Sequence, residues 1–202
     1  MKSILYSIGY SGFLIKDFIQ TLRDNNISVL VDVRSFPFSS YYTDYNKDIL
    51  ANTLKQSGIR YRHYDQEFGA RQENRSYYTP AGYLDFSLFC HSECFLQGVS
   101  KLCAGMERGY TFALMCAEKN PISCHRAILV SRAFAQRGYP VIHLLPHGKT
   151  LTQEEIDAQL LDLYFPDRTQ LTMFGGNESE EELLDRAYQK QNAVIGYHIE
   201  GE

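Results

Sequence analysis

Tyr110-Thr111-Phe112-Ala113-Leu114-Met115-Cys116 is an uncharged run that breaks at Ala117-Glu118-Lys119-Asn120-Pro121 and resumes at Ser123-Cys124-His125-Arg126. A short apolar run bounded by turn residues reads as a strand buried on both faces. Ser123 then stands as the cap of a helix running to Gly138, with Pro140 after the stop. The same alternation recurs on either side. Ser3–Ile8, Ile27–Val33, Ile59–Tyr64 and Tyr139–Leu145 read as further strands. Phe13, Leu14, Phe18, Ile19 and Leu22 recur at helical spacing, and Asn46 opens a helix that ends before Gly58. Thr79-Pro80 reads as another helix start, with one helix or two continuing to Arg108. This order predicts an α/β fold: a mostly parallel sheet of about five strands with helices on both faces, in three Rossmann-like layers.

The 202 residues form one α/β domain over 1–150 and a helical extension over 151–202. Two capping boxes, Thr152 with Glu155 and Ser179 with Glu182, flank a linker at 165–177. Charge divides the same way. Residues 1–150 carry 17 Lys+Arg against 12 Asp+Glu, whereas residues 151–202 carry 3 against 12. The basic body admits an anionic ligand, although charge alone does not make a nucleic-acid binder. No apolar run approaches the roughly 20 residues of a membrane span, so no membrane partner is expected. Five cysteines, an odd number, and a strand-like N-terminus point to free thiols in a reducing cytoplasm.

Parallel sheets bind ligands beyond the carboxyl ends of their strands. Tyr10 and Ser11 follow the first strand, and Asp32 and Arg34 end the second. Arg71 follows the third; Cys116, Glu118, Cys124, His125 and Arg126 follow the fourth. The chemically distinctive residues therefore gather on one sheet edge.

Four of these segments resemble the family called domain of unknown function 488. They are Ser7-Ile8-Gly9-Tyr10-Ser11, Val31-Asp32-Val33-Arg34-Ser35-Phe36-Pro37, Phe68-Gly69-Ala70-Arg71, and Met115 through Arg126. The resemblance covers roughly residues 3–150. It implies a cytoplasmic α/β protein of enzymatic character but supplies no reaction. The family usually has His where Tyr10 stands and a second Gly near Ala70, so a histidine role at the first position does not carry over.

Three readings of Cys116, Glu118, Cys124, His125 and Arg126 compete. A cysteine is a nucleophile, with His125 as base and Arg126 gripping an anion. Or the thiols and His125, with Glu118, bind zinc or iron, although the spacing fits no standard module and no metal is assigned. Or both cysteines are small core residues and Arg126 pairs with Asp32 or Glu118. No Cys-x5-Arg loop or Walker loop is present, and no cofactor is assigned. Asp32 and Arg34 share a strand parity, so they read either as an acid–base Asp beside an anion-binding Arg or as an internal ion pair.

Phe36, Phe38, Tyr41, Tyr42 and Tyr45 crowd one loop, and a second group around Tyr61–Tyr78 is interleaved with arginines; both suit base stacking or a hydrophobic cover. In the tail, Gln170-Leu171-Thr172-Met173-Phe174 resembles the peptide by which bacterial DNA-processing proteins dock on the sliding clamp, with Gln170, Leu171, Met173 and Phe174 as anchors.

The leading expectation is an enzyme acting on an anionic, phosphate-bearing substrate, a nucleotide or nucleic acid among the options. Arg34, Arg71 and Arg126 hold the anion, with Tyr10 and Ser11 beside them, and Asp32 or His125 moves protons. The alternatives are a non-enzymatic DNA-associated module recruited through the clamp-like peptide, and a thiol- or metal-dependent enzyme using Cys116 and Cys124.

Overall fold

The computed structural model describes residues 2–167 and 178–199. It contains one sheet of six strands in the order β3-β2-β4-β1-β5-β6. The strands are β1 (Leu5–Gly9), β2 (Val29–Asp32), β3 (Arg60–His63), β4 (Phe112–Cys116), β5 (Val141–Leu144) and β6 (Thr150–Thr152). All pairings are parallel except β5 with β6. Each of the five strands read from the sequence is present. The sixth is a three-residue antiparallel edge, too short to show a period.

Helices cover both faces. On one face, α1 (Ile15–Asp24) and α2 (Lys47–Gln56) place Phe18, Leu22, Leu50 and Leu54 against Ile8, Leu30, Ala113 and Met115. On the other, α5 (Glu93–Glu107), α6 (Arg132–Ala135), α7 (Gln153–Tyr164) and α8 (Glu180–Ile195) pack over Leu5, Val31, Leu114 and Val141. Two short helices, α3 (Asp65–Phe68) and α4 (Phe86–Phe89), lie between β3 and α5. Strand parity thus divides β4: Ala113 and Met115 face α1 and α2, while Leu114 and Cys116 face α5 through α8.

Both capping boxes form, at Thr152–Glu155 and at Ser179–Glu182. The helix start read at Thr79-Pro80 does not form. There Gly82 N–H bonds Thr79 O at 2.8 Å, closing a tight turn with Pro80 inside it, and Gly82 holds φ +84°. Pro fits the second position of such a turn as well as a helix start, and the Gly two residues on selects the turn. The first helix of that region begins at α4, where Asp85 accepts from Ser87 N–H (2.8 Å) and Leu88 N–H (3.2 Å). Asn46 does precede α2, but its side chain accepts from Ser39 N–H at 2.6 Å and so fastens the preceding loop.

The acidic extension packs onto the body. Asn192 on α8 accepts from Phe86 N–H and donates to Leu84 O, both at 2.9 Å, and Gln191 donates to Ile122 O at 2.7 Å. A buried polar relay ties it further. Ser7 Oγ lies 2.6 Å from His143 Nδ1, His143 Nε2 lies 3.0 Å from Gln153 Oε1, and Gln153 donates to Tyr188 OH at 2.8 Å. No helix among the described residues is long and apolar enough to cross a membrane.

His143 gives a pH test of this relay. Burial, reinforced by the positive charge of Arg126, lowers its pKa from 6.5 to about 4. The unfolded chain therefore takes up the proton first. Stability is full above pH ~6.5 and falls by up to about 3 kcal/mol as pH drops through 4. Urea unfolding across this window checks it; His143→Gln should flatten that part of the profile.

Candidate functional site

The site starts from the pairing of β1 with β4, which sets Gly9 opposite Cys116. Pairing continues past the strand ends, with Tyr10 N–H on Cys116 O at 3.1 Å and Ser11 N–H on Ala117 O at 3.0 Å. The chain then crosses β1 so closely that a Cβ on Gly9 would stand 1.8 Å from Glu118 O. Only glycine allows that crossing. Arg126, fully buried, secures it: Nη1 donates to Glu118 O at 2.6 Å and Nη2 to Lys119 O at 3.4 Å. The expectation that Arg126 pairs with Asp32 or the Glu118 carboxylate is therefore corrected, because backbone carbonyls take its donors.

The helix begins one residue later than the sequence indicates. Asn120 accepts from Ile122 N–H at 3.3 Å, and Ser123 is spent in the tight Pro121–Ser123 turn. Cys124 is extended (φ −138°, ψ 135°), and its carbonyl accepts from Ala127 and Ile128 N–H at 3.0 and 3.1 Å. Cys124, not Ser123, thus occupies the capping position. The next residues, Arg126–Ser131, wind as a wide π-helix before α6. Such windings are rare and recur at functional sites.

Four chemical groups converge here. Cys116 Sγ lies 3.8 Å from His125 Nδ1, and Cys124 Sγ lies 2.9 Å from Glu118 Oε2. The donor atoms of Cys116, Cys124 and His125 all lie within 4.8 Å of one another. His125 Nε2 stands 3.0 Å from Val33 O, an atom that only accepts, so Nε2 carries a proton and Nδ1 faces the sulfurs. Cys90, His91 and Cys94 join no such group among the described residues.

The electrostatics separate the two thiols. Burial opposes charge on Cys124, but the Cys116 thiol, Arg126 and His125 outweigh it and hold Cys124 well below the usual thiol range. Cys116, hydrogen-bonded to Cys124 and buried, is pushed well above that range. Partial desolvation and the neighbouring Cys124 charge raise the pKa of Glu118, an exposed residue whose carboxyl reaches in beside the sulfur. The Cys124–Glu118 hydrogen bond keeps sulfur and carboxyl from both being charged at 2.9 Å. Burial opposes a charge on His125 as well, yet Cys124 and Glu118 raise its pKa.

These four residues floor a cavity of about 300 Å³. Tyr10, Arg34 and Arg71 form its sides, Phe36 and Phe38 its rim, and Ile195 and Tyr197 close it from the C-terminal segment. Arg34 is held rigidly: Nε and Nη2 donate to Asp32 at 2.9 and 2.6 Å, and Nη2 also to Tyr45 O at 2.8 Å. Its Nη1 is buried and has no hydrogen-bond partner. Burial weighs against its charge, but Asp32 keeps its pKa above the ordinary value. Arg71 lies 4.4 Å over the Tyr197 ring, and its backbone N–H donates to Ser35 Oγ at 2.9 Å.

The structure therefore brings Tyr10, Arg34, Arg71, Cys116, Glu118, Cys124 and His125 together. It does not bring Asp32, which sits behind Arg34 with its oxygens taken by that guanidinium and by Tyr61 OH (2.6 Å). Ser11 and Arg126 do not line the cavity either. Gln170, Leu171, Met173 and Phe174 lie outside the described residues. Ile195 and Tyr197 were not read from the sequence; they lie about 70 residues beyond His125, and no local pattern ties them to it.

The profile of the family described as domain of unknown function DUF488 matches residues 14–133, more than half of the 202. The chain belongs to this family. The matched span holds the Asp32-Val33-Arg34, Gly69-Ala70-Arg71 and Cys116–Arg126 segments, so most of the cavity is a property of the family region. No curated protein and no solved structure matches the chain.

Gly9→Ala tests the crossing of β1. The added methyl collides with backbone, not with a flexible side chain end. We expect a destabilisation of about 1–3 kcal/mol in denaturant unfolding, as for overpacked cores. A stability equal to wild type would show that the Glu118 carbonyl moves aside freely.

Proposed function

We propose that this protein is an enzyme acting on a small anionic, phosphate-bearing substrate in the cavity above Cys116, Glu118, Cys124 and His125. The observation that carries this reading is Arg34 on the wall of that cavity, its guanidinium fixed on Asp32 and its buried Nη1 left without a hydrogen-bond partner. A fixed, permanently charged donor without an acceptor favours an incoming anion. Arg71 supplies a second cation from a mobile-length side chain at the mouth. In this reading Arg34 and Arg71 hold the anion, Glu118 carries protons at the reacting group, and Asp32 positions Arg34. Arg126 acts indirectly, by holding the Glu118–Lys119 backbone.

The rim narrows the substrate class. Phe36 and Phe38 are 67% and 59% exposed, with ring centroids 6.1 Å apart. Exposed rings beside an anion site suit a nucleobase attached to the phosphate. A volume of about 300 Å³ fits a single nucleotide-sized group and not a duplex, so a nucleic acid would enter through a single strand or an extruded base.

Calorimetry with inorganic phosphate and with a nucleoside monophosphate tests the grip. Arg71→Ala should weaken both by about 10- to 100-fold, the effect of losing a charged hydrogen bond. Phe36→Ala should weaken the nucleotide alone. Glu118→Gln should lower kcat on a phosphorylated substrate while leaving KM within a few-fold. Unchanged affinity in Arg71→Ala, together with unchanged turnover in Glu118→Gln, would sink the reading.

A further inference from the structure

We infer that Cys116, Cys124 and His125 form a binding site for one soft divalent metal ion of the zinc class, with an open position toward the cavity. The inference stands on donor geometry and does not depend on the identity of the substrate.

Three observations converge. First, two sulfurs and one imidazole nitrogen, supplied by the end of β4 and the start of the next helix, lie within 4.8 Å of one another. An ion with Zn–S of about 2.3 Å and Zn–N of about 2.0 Å spaces tetrahedral donors about 3.5 Å apart. The 3.8 Å between Cys116 Sγ and His125 Nδ1 is close to that spacing. Second, His125 is already oriented as a ligand. Its Nε2–H is fixed on the Val33 carbonyl at 3.0 Å, the outer contact that metal-bound histidines characteristically make. Third, all three ligand residues border the cavity as well as the core, so a bound ion would present its fourth face to a water or a substrate. Three protein ligands with one open place is the arrangement of catalytic rather than structural zinc.

A core role for the thiols explains less. Two buried cysteines need no polar neighbour to pack well. Here a histidine, a glutamate and a buried arginine surround them, at a desolvation cost that packing alone would not require.

Cobalt(II) titration of the full-length, reduced protein tests the site, because cobalt reports thiolate ligation and tetrahedral geometry spectroscopically. The expected result is one equivalent bound, with a thiolate-to-cobalt charge-transfer band and strong visible absorption, both displaced by zinc. Cys124→Ser should lower affinity at least about 100-fold, since even the loss of an outer-shell partner costs 10–100-fold. His125→Gln keeps both sulfurs; it should retain the charge-transfer band while lowering affinity at least about tenfold. Circular dichroism of each apo variant shows whether it is folded, and at equal zinc the melting temperature should rise most in wild type and least in Cys124→Ser. Absence of a thiolate band overturns the proposal, as does an identical titration in folded Cys124→Ser, which would assign the metal to Cys90, Cys94 or Cys103. Phosphate calorimetry on Arg71→Ala reads the anion grip separately, so either reading can fall while the other stands.

Discussion

A buried positive charge organises this molecule. Arg126 has no exposed surface, donates to two backbone carbonyls, and forms no ion pair among the described residues. Its hydrogen bonds hold the Glu118–Lys119 turn over Gly9, and that turn sets where Cys116, Glu118, Cys124 and His125 meet. Burying an ion costs several kcal/mol even after relaxation, and two charged hydrogen bonds offset only part of it. The remainder falls to nearby groups whose charge can answer. Burial lowers the pKa of His143 and Arg126 adds to it, while the Cys116 thiol and then the same guanidinium lower that of Cys124. One cation thus acts on each side, favouring charge on the sulfur at the cavity and disfavouring it in the core relay.

Arg34 differs in kind. Its charge is answered by Asp32 through two side-chain hydrogen bonds, and both residues are buried. The pair leaves Nη1 over as a neutralised yet directional donor. An anion reaching it gains geometry more than net charge, whereas Arg71 at the mouth, stacked on Tyr197, still offers charge. That division of labour joins the body to the C-terminal segment. The acidic extension keeps its like charges away from the anion site: Asn192, Gln191 and Tyr197 make neutral contacts inward, while Glu180, Glu181 and Asp185 on α8 stay exposed.

Much of this was legible in the sequence. Apolar runs identified the central strands and the carboxyl edge, because a sheet buried on both faces imposes composition residue by residue, whereas the edge strand Arg60–His63 alternates exposed and half-buried residues. Cys116 and His125 could be assigned to one edge for the same reason. Asp32 and Arg34 were readable as neighbours on one face, with an internal ion pair as one of two readings, and the structure shows that pair. Parity alone left both readings open, and the further bonds that occupy the pair, from Tyr61 OH to Asp32 and from Arg34 to Tyr45 O, join it to distant segments. Thr79-Pro80 misled because Pro serves helix starts and tight turns alike, and the deciding positive φ at Gly82 is tertiary information. The closure by Ile195 and Tyr197 had no local signal, since neither residue type marks a site by itself.

The same charge reasoning bears on what the floor holds. With Cys124 as the one thiolate, Arg126 is balanced, but Cys116 keeps its proton and so does Glu118, which faces the sulfur at 2.9 Å. That is a crowded arrangement, with three acidic groups sharing one negative charge beside a single cation. A divalent ion removes the competition. Two thiolates would cancel its charge, the Glu118 carboxylate would be left to offset Arg126, and His125 would stay neutral with Nε2–H on Val33 O, as it already is. With such an ion the floor would be electrically neutral with each donor in its ligating form, and the neighbouring charge of Arg34 is already met by Asp32.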